Sequence, residues 1–200
     1  MFYDLTTLEK ISIYRLLTHT VVPRPIAWVL TESDPGRFNI APFSYFNIVS
    51  SDPATLMFSV GHKRDGSKKD TWSNIEKYGK CVVHIANSPL INDVNESART
   101  LPNDVSELDG MSVTLTQEAG FDLPRISQAP VAFDCDRMDI HLLGNGPQAV
   151  IYVQVKSAYI ADELNMKDFT LAEATLDPLA RLGGDRYSLL GDIESIERPV

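Results

Sequence analysis

Cysteine is scarce in this chain. Cys81 and Cys135 are the only two in 200 residues, too few and too widely separated to read as a disulfide framework or a metal knuckle. Cys81 lies within the strand pattern Cys81-Val82-Val83-His84-Ile85 and reads as a small core residue, with a redox-active thiol as the other reading. No apolar run approaches the roughly 18 residues of a membrane span. Met1-Phe2-Tyr3-Asp4-Leu5 has an early acid and no basic flank, unlike a secretory signal. A cytoplasmic protein with no membrane partner is therefore expected. Positive charge is also in deficit, with 18 Lys and Arg against 27 Asp and Glu and a net charge of −9. Nucleic acid is an unsuitable partner for such a surface, because its phosphates require clustered Lys and Arg.

Several catalytic signatures are missing as well. There is no GxGxxG or Walker loop and no GxSxG elbow. His19, His62, His84 and His141 have no metal-site spacing, and no metal ligand set or catalytic side chain is assigned. His84 alternates onto the polar side of its strand and reads as a satisfied structural histidine. No repeat, linker or low-complexity stretch divides the chain, so residues 1–200 are expected to form one domain.

What is present is a succession of short strands. An amphipathic helix signal covers Leu8 to Leu17, and Pro23-Arg24-Pro25 forces extended backbone into a strand over 26–31. Ser33-Asp34-Pro35-Gly36-Arg37 is a turn, and Phe38 onward returns as a second strand. Residues 54–60 form a third. Asp70 is expected to cap a helix through Trp72 and Ile75 to Tyr78, stopped by Gly79. A strand follows over 80–86, and Ser88-Pro89 opens a helix with Leu90, Val94 and Ala98 on one face. Leu101 to Asp109 is irregular or a short helical turn, and 113–117 and 130–134 are short strands. Period-two alternation over 151–155 pairs that stretch with 139–143 through the turn Gly144-Asn145-Gly146-Pro147. Many short strands with few inserted helices indicate a mainly β protein, an antiparallel barrel with Greek-key connections.

Two stretches do not read as core alone. Asn39-Ile40-Ala41-Pro42-Phe43-Ser44-Tyr45-Phe46-Asn47 places amides, hydroxyls and a proline in an apparent buried strand, where an unpartnered polar group costs about 1–3 kcal/mol. His62-Lys63-Arg64-Asp65-Gly66-Ser67-Lys68-Lys69-Asp70 is the densest basic window, just ahead of Thr71 and the helix start. It is either a solvated loop or a phosphate site, since a local cluster acts within a Debye length of ~8 Å. Together they outline a flat polar ligand with a phosphate tail, as FMN has. Lys69 and Thr71 are the phosphate candidates, with Ser59 or Arg64 assisting. If Asp70 caps the helix its carboxylate competes for the first amides, so Thr71 Oγ and the Lys69 ammonium are expected to outweigh the amides. Strand alternation sets Phe43 and Tyr45 on one face and Ser44 and Phe46 on the other, one of the two sets being core.

Arg24-Pro25-Ile26-Ala27-Trp28-Val29-Leu30-Thr31, the 39–47 block with Ser51-Asp52-Pro53, and Lys69-Asp70-Thr71 with Asn74-Ile75 resemble the flavin reductase-like, FMN-binding split-barrel family in content, order and spacing. The resemblance covers about residues 20 to 190. It implies FMN contacts from Asn39, Ala41, Pro42, Phe43, Ser44, Tyr45 and Asn47, with Pro25 and Ala27 approaching through backbone. Arg24 is either a surface guanidinium or a ligand. In Pro178-Leu179-Ala180-Arg181-Leu182-Gly183-Gly184-Asp185-Arg186-Tyr187 the glycines are either a turn or a close approach to a flat ligand. The resemblance favours Gly183 and Tyr187 as flavin neighbours and implies a homodimer with FMN near the interface. The implied activity is a flavin reductase that passes hydride from NADH or NADPH to FMN, positioning the reactants without an obligatory acid or base. The alternative is a non-enzymatic FMN electron carrier serving a redox protein or an oxygenase. A third possibility is a barrel without flavin that only assembles with partners.

Overall fold

A computed structural model describes residues 1–102 and 105–199. Its strands are β1 (Arg24–Pro25), β2 (Ala27–Asp34), β3 (Arg37–Phe43), β4 (Phe46–Ser51), β5 (Ala54–Val60), β6 (Lys80–Ile85), β7 (Leu115–Thr116), β8 (Arg125–Ile126), β9 (Val131–Leu143), β10 (Gln148–Ile160), β11 (Ala180–Arg181) and β12 (Tyr187–Ser188). The α-helices are α1 (Lys10–Thr20), α2 (Asp70–Tyr78), α3 (Ile91–Glu96) and α4 (Glu173–Leu176).

Seven strands form one antiparallel sheet in the order β3-β2-β6-β9-β10-β5-β4. Its two edges, β3 and β4, are consecutive in the chain and separated only by Ser44 and Tyr45. A two-residue link cannot span an open seven-stranded sheet, so the sheet curls until its edges meet. Among the described residues no ladder pairs β3 with β4, which leaves the barrel split along that seam. β5 and β6 follow one another in the chain but are separated in the sheet by β10 and β9, and α2, which joins them, packs on β2, β3 and β6. β11 pairs with β1 and β12, tying the C-terminal segment beside the start of β2.

Alternation divides the strands between two apolar layers. Ala27 and Val29 of β2, Leu56, Phe58 and Val60 of β5, and Ala149, Ile151 and Val153 of β10 fill the barrel with Trp72 and Ile75 of α2. Trp28, Leu30, Ile40 and Val82 face outward but are covered by Leu90 and Val94 and by Phe121, Leu123 and Ile126. This second layer corrects the expected polar side for His84, which is fully buried. Its Nδ1–H donates to the Trp28 carbonyl at 2.9 Å, and its Nε2 accepts from the Ile126 N–H at 3.0 Å. Burial holds its pKa down at about 4. The two cysteines, distant in sequence, are opposite one another on β6 and β9. Both thiols are buried in the barrel.

Several local expectations change. Phe43 ends β3 and Phe46 begins β4, and both rings enter the barrel core, because the Ser44–Tyr45 corner interrupts the alternation expected across 43–46. Phe43 stacks on Phe58 with centroids 5.6 Å apart. Lys69, not Asp70, is the N-cap of α2, with no side-chain cap, and Gly79 ends the helix at φ 74° as its sequence anticipates. Ser88 lies inside a 3-10 turn, Ser88–Leu90, with Asn87 in the cap position, and α3 follows it. Asn103 and Asp104 lie outside the described residues; beyond them Glu107–Gly110 is the anticipated short helical turn. Helix α1 buries only Thr18, and its Ile11, Tyr14 and Leu17 are exposed.

Candidate functional site

Three adjoining concavities follow β3 to the barrel seam. The first, about 60 Å³, is lined by Asn39, Ala41, Pro42, Lys63, Lys69, Asp70, Thr71, Glu107 and a lip of Ser97 to Thr100. The second, about 170 Å³, shares Pro42 and Ala98 with it and adds Ile26, Ser44, Asn95, Arg181 and Tyr187. The third, about 350 Å³ and mostly apolar, shares Ser44 and adds Leu17, Val21, Arg24, Pro25, Tyr45, Phe46, Asn47 and Met57. From Asn39 to Ser44 the strand covers five residue steps, about 16 Å at the usual rise.

The narrow end is built around the start of α2. Lys63 pairs with Asp70 at 2.7 Å, which holds the Asp70 carboxylate away from the first turn. Trp72 and Ser73 donate their N–H groups to the Lys69 carbonyl, so those of Asp70 and Thr71 have no intrahelical acceptor. The Asn39 side-chain amide satisfies its surroundings with its oxygen accepting from Thr71 Oγ1–H at 3.2 Å and from the Ile40 N–H at 3.1 Å, while its nitrogen donates to Glu107 Oε2 at 3.3 Å. Thr71 is buried and its hydroxyl proton is committed to Asn39. The expected competition from an Asp70 cap is therefore absent, and the Thr71 hydroxyl is engaged with Asn39. Burial lowers the Lys69 pKa from its ordinary value, opposed in part by Asp70. Burial raises that of Glu107.

At the seam, Arg24 is buried and is not a surface guanidinium. It donates to the carbonyls of Thr18 and Val21 at 2.8 Å each and of Leu182 at 2.9 Å. Its Nε lies 3.4 Å from Ser44 Oγ. Arg181, opposite Arg24 in the β1–β11 register, stacks over the Tyr187 ring at 4.5 Å. Its Nη2 donates to the Gly184 carbonyl at 2.6 Å. Its Nη1 is buried with no hydrogen-bond partner among the described residues. Tyr187 donates to Asn95 Oδ1 at 3.3 Å, and burial raises its pKa.

The sequence-based candidates thus divide by place. Asn39, Ala41, Pro42, Lys69, Asp70 and Thr71 meet in the narrow concavity, and Ser44 and Tyr187 join through Pro42. Pro25, Tyr45 and Asn47 lie across the seam in the apolar concavity. Ala27 and Phe43 are core side chains. Ser59 lines none of the three; its N–H donates to the Tyr45 carbonyl at 2.9 Å and supports the corner. Arg64 is exposed in the 63–66 turn. At Gly183 a Cβ would clash with the face of the His19 ring, so a flat group of the chain itself requires this glycine. Lys63, Asn95, Glu107 and Arg181 are additions. Arg181 stands beside the paired glycines and was within reach of sequence reasoning, whereas Glu107 sits in an irregular stretch with no local signal.

The family model described as "Flavin reductase like domain" matches residues 18–179. Protein YwrF of Bacillus subtilis (strain 168) is 36% identical over 197 residues, covering 93% of each chain. Among solved structures, nitrilotriacetate monooxygenase component B from Bacillus cereus superposes with a TM-score of 0.92 at 29% identity, covering 98% of both chains. A flavin reductase with a split barrel domain from Shewanella frigidimarina NCIMB 400 gives a TM-score of 0.86 at 14% identity over the whole of both chains, a likeness of fold.

Proposed function

The chain belongs to the flavin reductase-like family, and from that premise we propose that it binds FMN along β3 and reduces it with NADH or NADPH. The observation that carries this reading is a set of unpaired cations. Lys69, Arg24 and Arg181 all line the connected concavities. None has a carboxylate within ion-pair distance among the described residues. In a chain with nine more acids than bases, leaving these cations unpaired favours an anionic ligand.

The donor set fits FMN part by part. The α2 amides and Lys69 take the phosphate, and the side of β3 at Ala41 and Pro42 takes the ribityl chain. The polar pocket of Ser44, Asn95, Arg181 and Tyr187 takes the ring's hydrogen-bonding edge. FMN supplies the two-electron chemistry when bound. The chain's own residues orient the ring against the nicotinamide and place donors where negative charge develops.

We place a second copy of the chain on the apolar concavity. It is continuous with the site through Ser44, and α1 presents Ile11, Tyr14 and Leu17 beside it without burying them. An oxygenase accepting the reduced flavin is the partner favoured by the component B likeness. A cytoplasmic setting suits a reductase fed by soluble nicotinamide nucleotides.

The test is an FMN titration of the purified protein followed by anaerobic addition of NADH and then NADPH. Saturable binding with bleaching of the flavin band near ~450 nm supports the reductase. Binding without bleaching by either nucleotide replaces it with an electron carrier, and no binding rejects the flavin reading.

A further inference from the structure

Arg181 is only half employed by the protein. Nη2 is committed to the Gly184 carbonyl and the guanidinium plane to Tyr187. Nη1 is shut off from solvent with no acceptor among the described residues. A buried donor of this kind is a standing cost that an acceptor from a ligand removes. The pocket beside it is walled by Pro42, Ser44, Asn95 and Tyr187. Except for Arg181 this lining is uncharged, so the guanidinium's field is undiminished there by any carboxylate. Arg24 adds a second cation behind Ser44, itself occupied by three carbonyls.

FMN has one apolar end, the dimethylbenzene ring, and one polar end, the pyrimidine with two carbonyls and N1. When the phosphate lies at α2, the pocket about 16 Å along β3 receives the ring system, and its hydrogen-bonding groups select the polar end. Two electrons and one proton convert oxidised FMN to the reduced anion, whose negative charge resides on N1 and the adjacent carbonyl. The oxidised pyrimidine is neutral. A fixed guanidinium facing that edge interacts far more strongly with the anion than with the neutral form.

We propose that Arg181, whose side chain lines this pocket, recognises the pyrimidine edge of FMN and binds the reduced anion more tightly than the oxidised flavin. This deepens the FMN reading and rests on it. Arg181 thereby sets the reduction potential of the bound flavin, and it marks the C-terminal segment as the part of the chain that senses the flavin's redox state.

The test is a dithionite titration of the FMN complex against a reference dye for the wild type, Arg181→Gln and Arg181→Lys, with circular dichroism to confirm folding. Arg181→Gln is expected to weaken the reduced form at least tenfold more than the oxidised form, a fall in midpoint potential of about 30 mV for a two-electron couple. Arg181→Lys, which keeps the charge, is expected to stay near the wild-type potential. An unchanged potential in Arg181→Gln, or equal weakening of both forms, overturns the proposal while leaving FMN binding intact as a separate result. A wild-type protein that binds no FMN overturns the underlying functional reading before any variant is examined.

Discussion

The imidazole of His19 lies across Gly183 so closely that a methyl group on that glycine would clash with the face of the ring. The contact joins α1 to the loop between β11 and β12, and His19 is itself held by Nδ1 at 2.7 Å from the Arg15 carbonyl. Gly183→Ala must therefore push the ring aside. Such overpacking costs about 1–3 kcal/mol, to be read as a lowered urea midpoint. His19→Ala in the same chain should recover most of the loss; failure to recover it would place the cost in the loop backbone instead.

His84 predicts the acid limit of stability. Its folded pKa is about 4 against an ordinary value of 6.5, so between those values the unfolded chain binds the extra proton. Stability is then unaffected above about pH 6.5 and declines as pH falls toward 4. The full decline from this one group is about 3 kcal/mol. Urea unfolding at stepped pH should show this slope, and His84→Gln should flatten it.

Lys69 and Thr71 should separate in their effects. Lys69→Ala removes an unpaired ammonium, and charge-assisted contacts are worth about 1.5–3 kcal/mol. FMN affinity should fall tenfold or more while riboflavin, which lacks the phosphate, is nearly unaffected. Thr71→Ala removes a buried hydroxyl bonded to Asn39 and should lower stability by about 1–2 kcal/mol, with little change in FMN affinity. Matched losses of affinity in the two variants would restore the hydroxyl as a phosphate ligand.

Glu107 is expected to make FMN binding depend on pH. Its carboxyl, already raised by burial, shares the narrow concavity with Lys63, Lys69, Asp70 and Arg99. An entering phosphate raises it further, so binding takes up a proton and affinity falls as pH rises above the free protein's Glu107 pKa. Glu107→Gln should bind FMN severalfold more tightly than wild type at high pH. Riboflavin affinity should show no such difference between the two proteins. Isothermal titrations in buffers of differing ionisation enthalpy would detect the proton, and its absence would remove Glu107 from the phosphate site.

The elements legible in the sequence are those set by local chemistry. β5 begins at Ala54 and ends at Val60 as expected, and Gly79 stops α2 because its φ of 74° suits glycine. The hairpin of β9 and β10 follows from alternation and its glycine turn. What was not legible depends on closure. Phe43 and Phe46 both enter the core because the seam intervenes, and no alternation rule contains a seam. Asp70 falls one residue inside α2, with Lys69 in the cap position, and its carboxylate pairs with Lys63, whose position depends on the loop's three-dimensional path. Arg24 looked like a surface group until α1 and Leu182 were folded around it. Of the candidate site, the grouping of Lys69, Asp70 and Thr71 at the start of α2 was legible because these residues are adjacent in sequence. Glu107 was missed because it reaches Asn39 only across space.

The two-residue corner at Ser44 and Tyr45 also has a consequence for when the site exists. The corner leaves the ribosome early, yet β5, which holds it through the Ser59 N–H, is paired to β10, which ends at Ile160. Arg181 and Tyr187 emerge later still. A nascent chain therefore displays the Asn39 to Asn47 stretch long before any groove can form around it. The connected concavities are complete only when nearly the whole polypeptide has been made, and a fragment ending before β11 would have the concavity at α2 without the pocket that Arg181 and Tyr187 line.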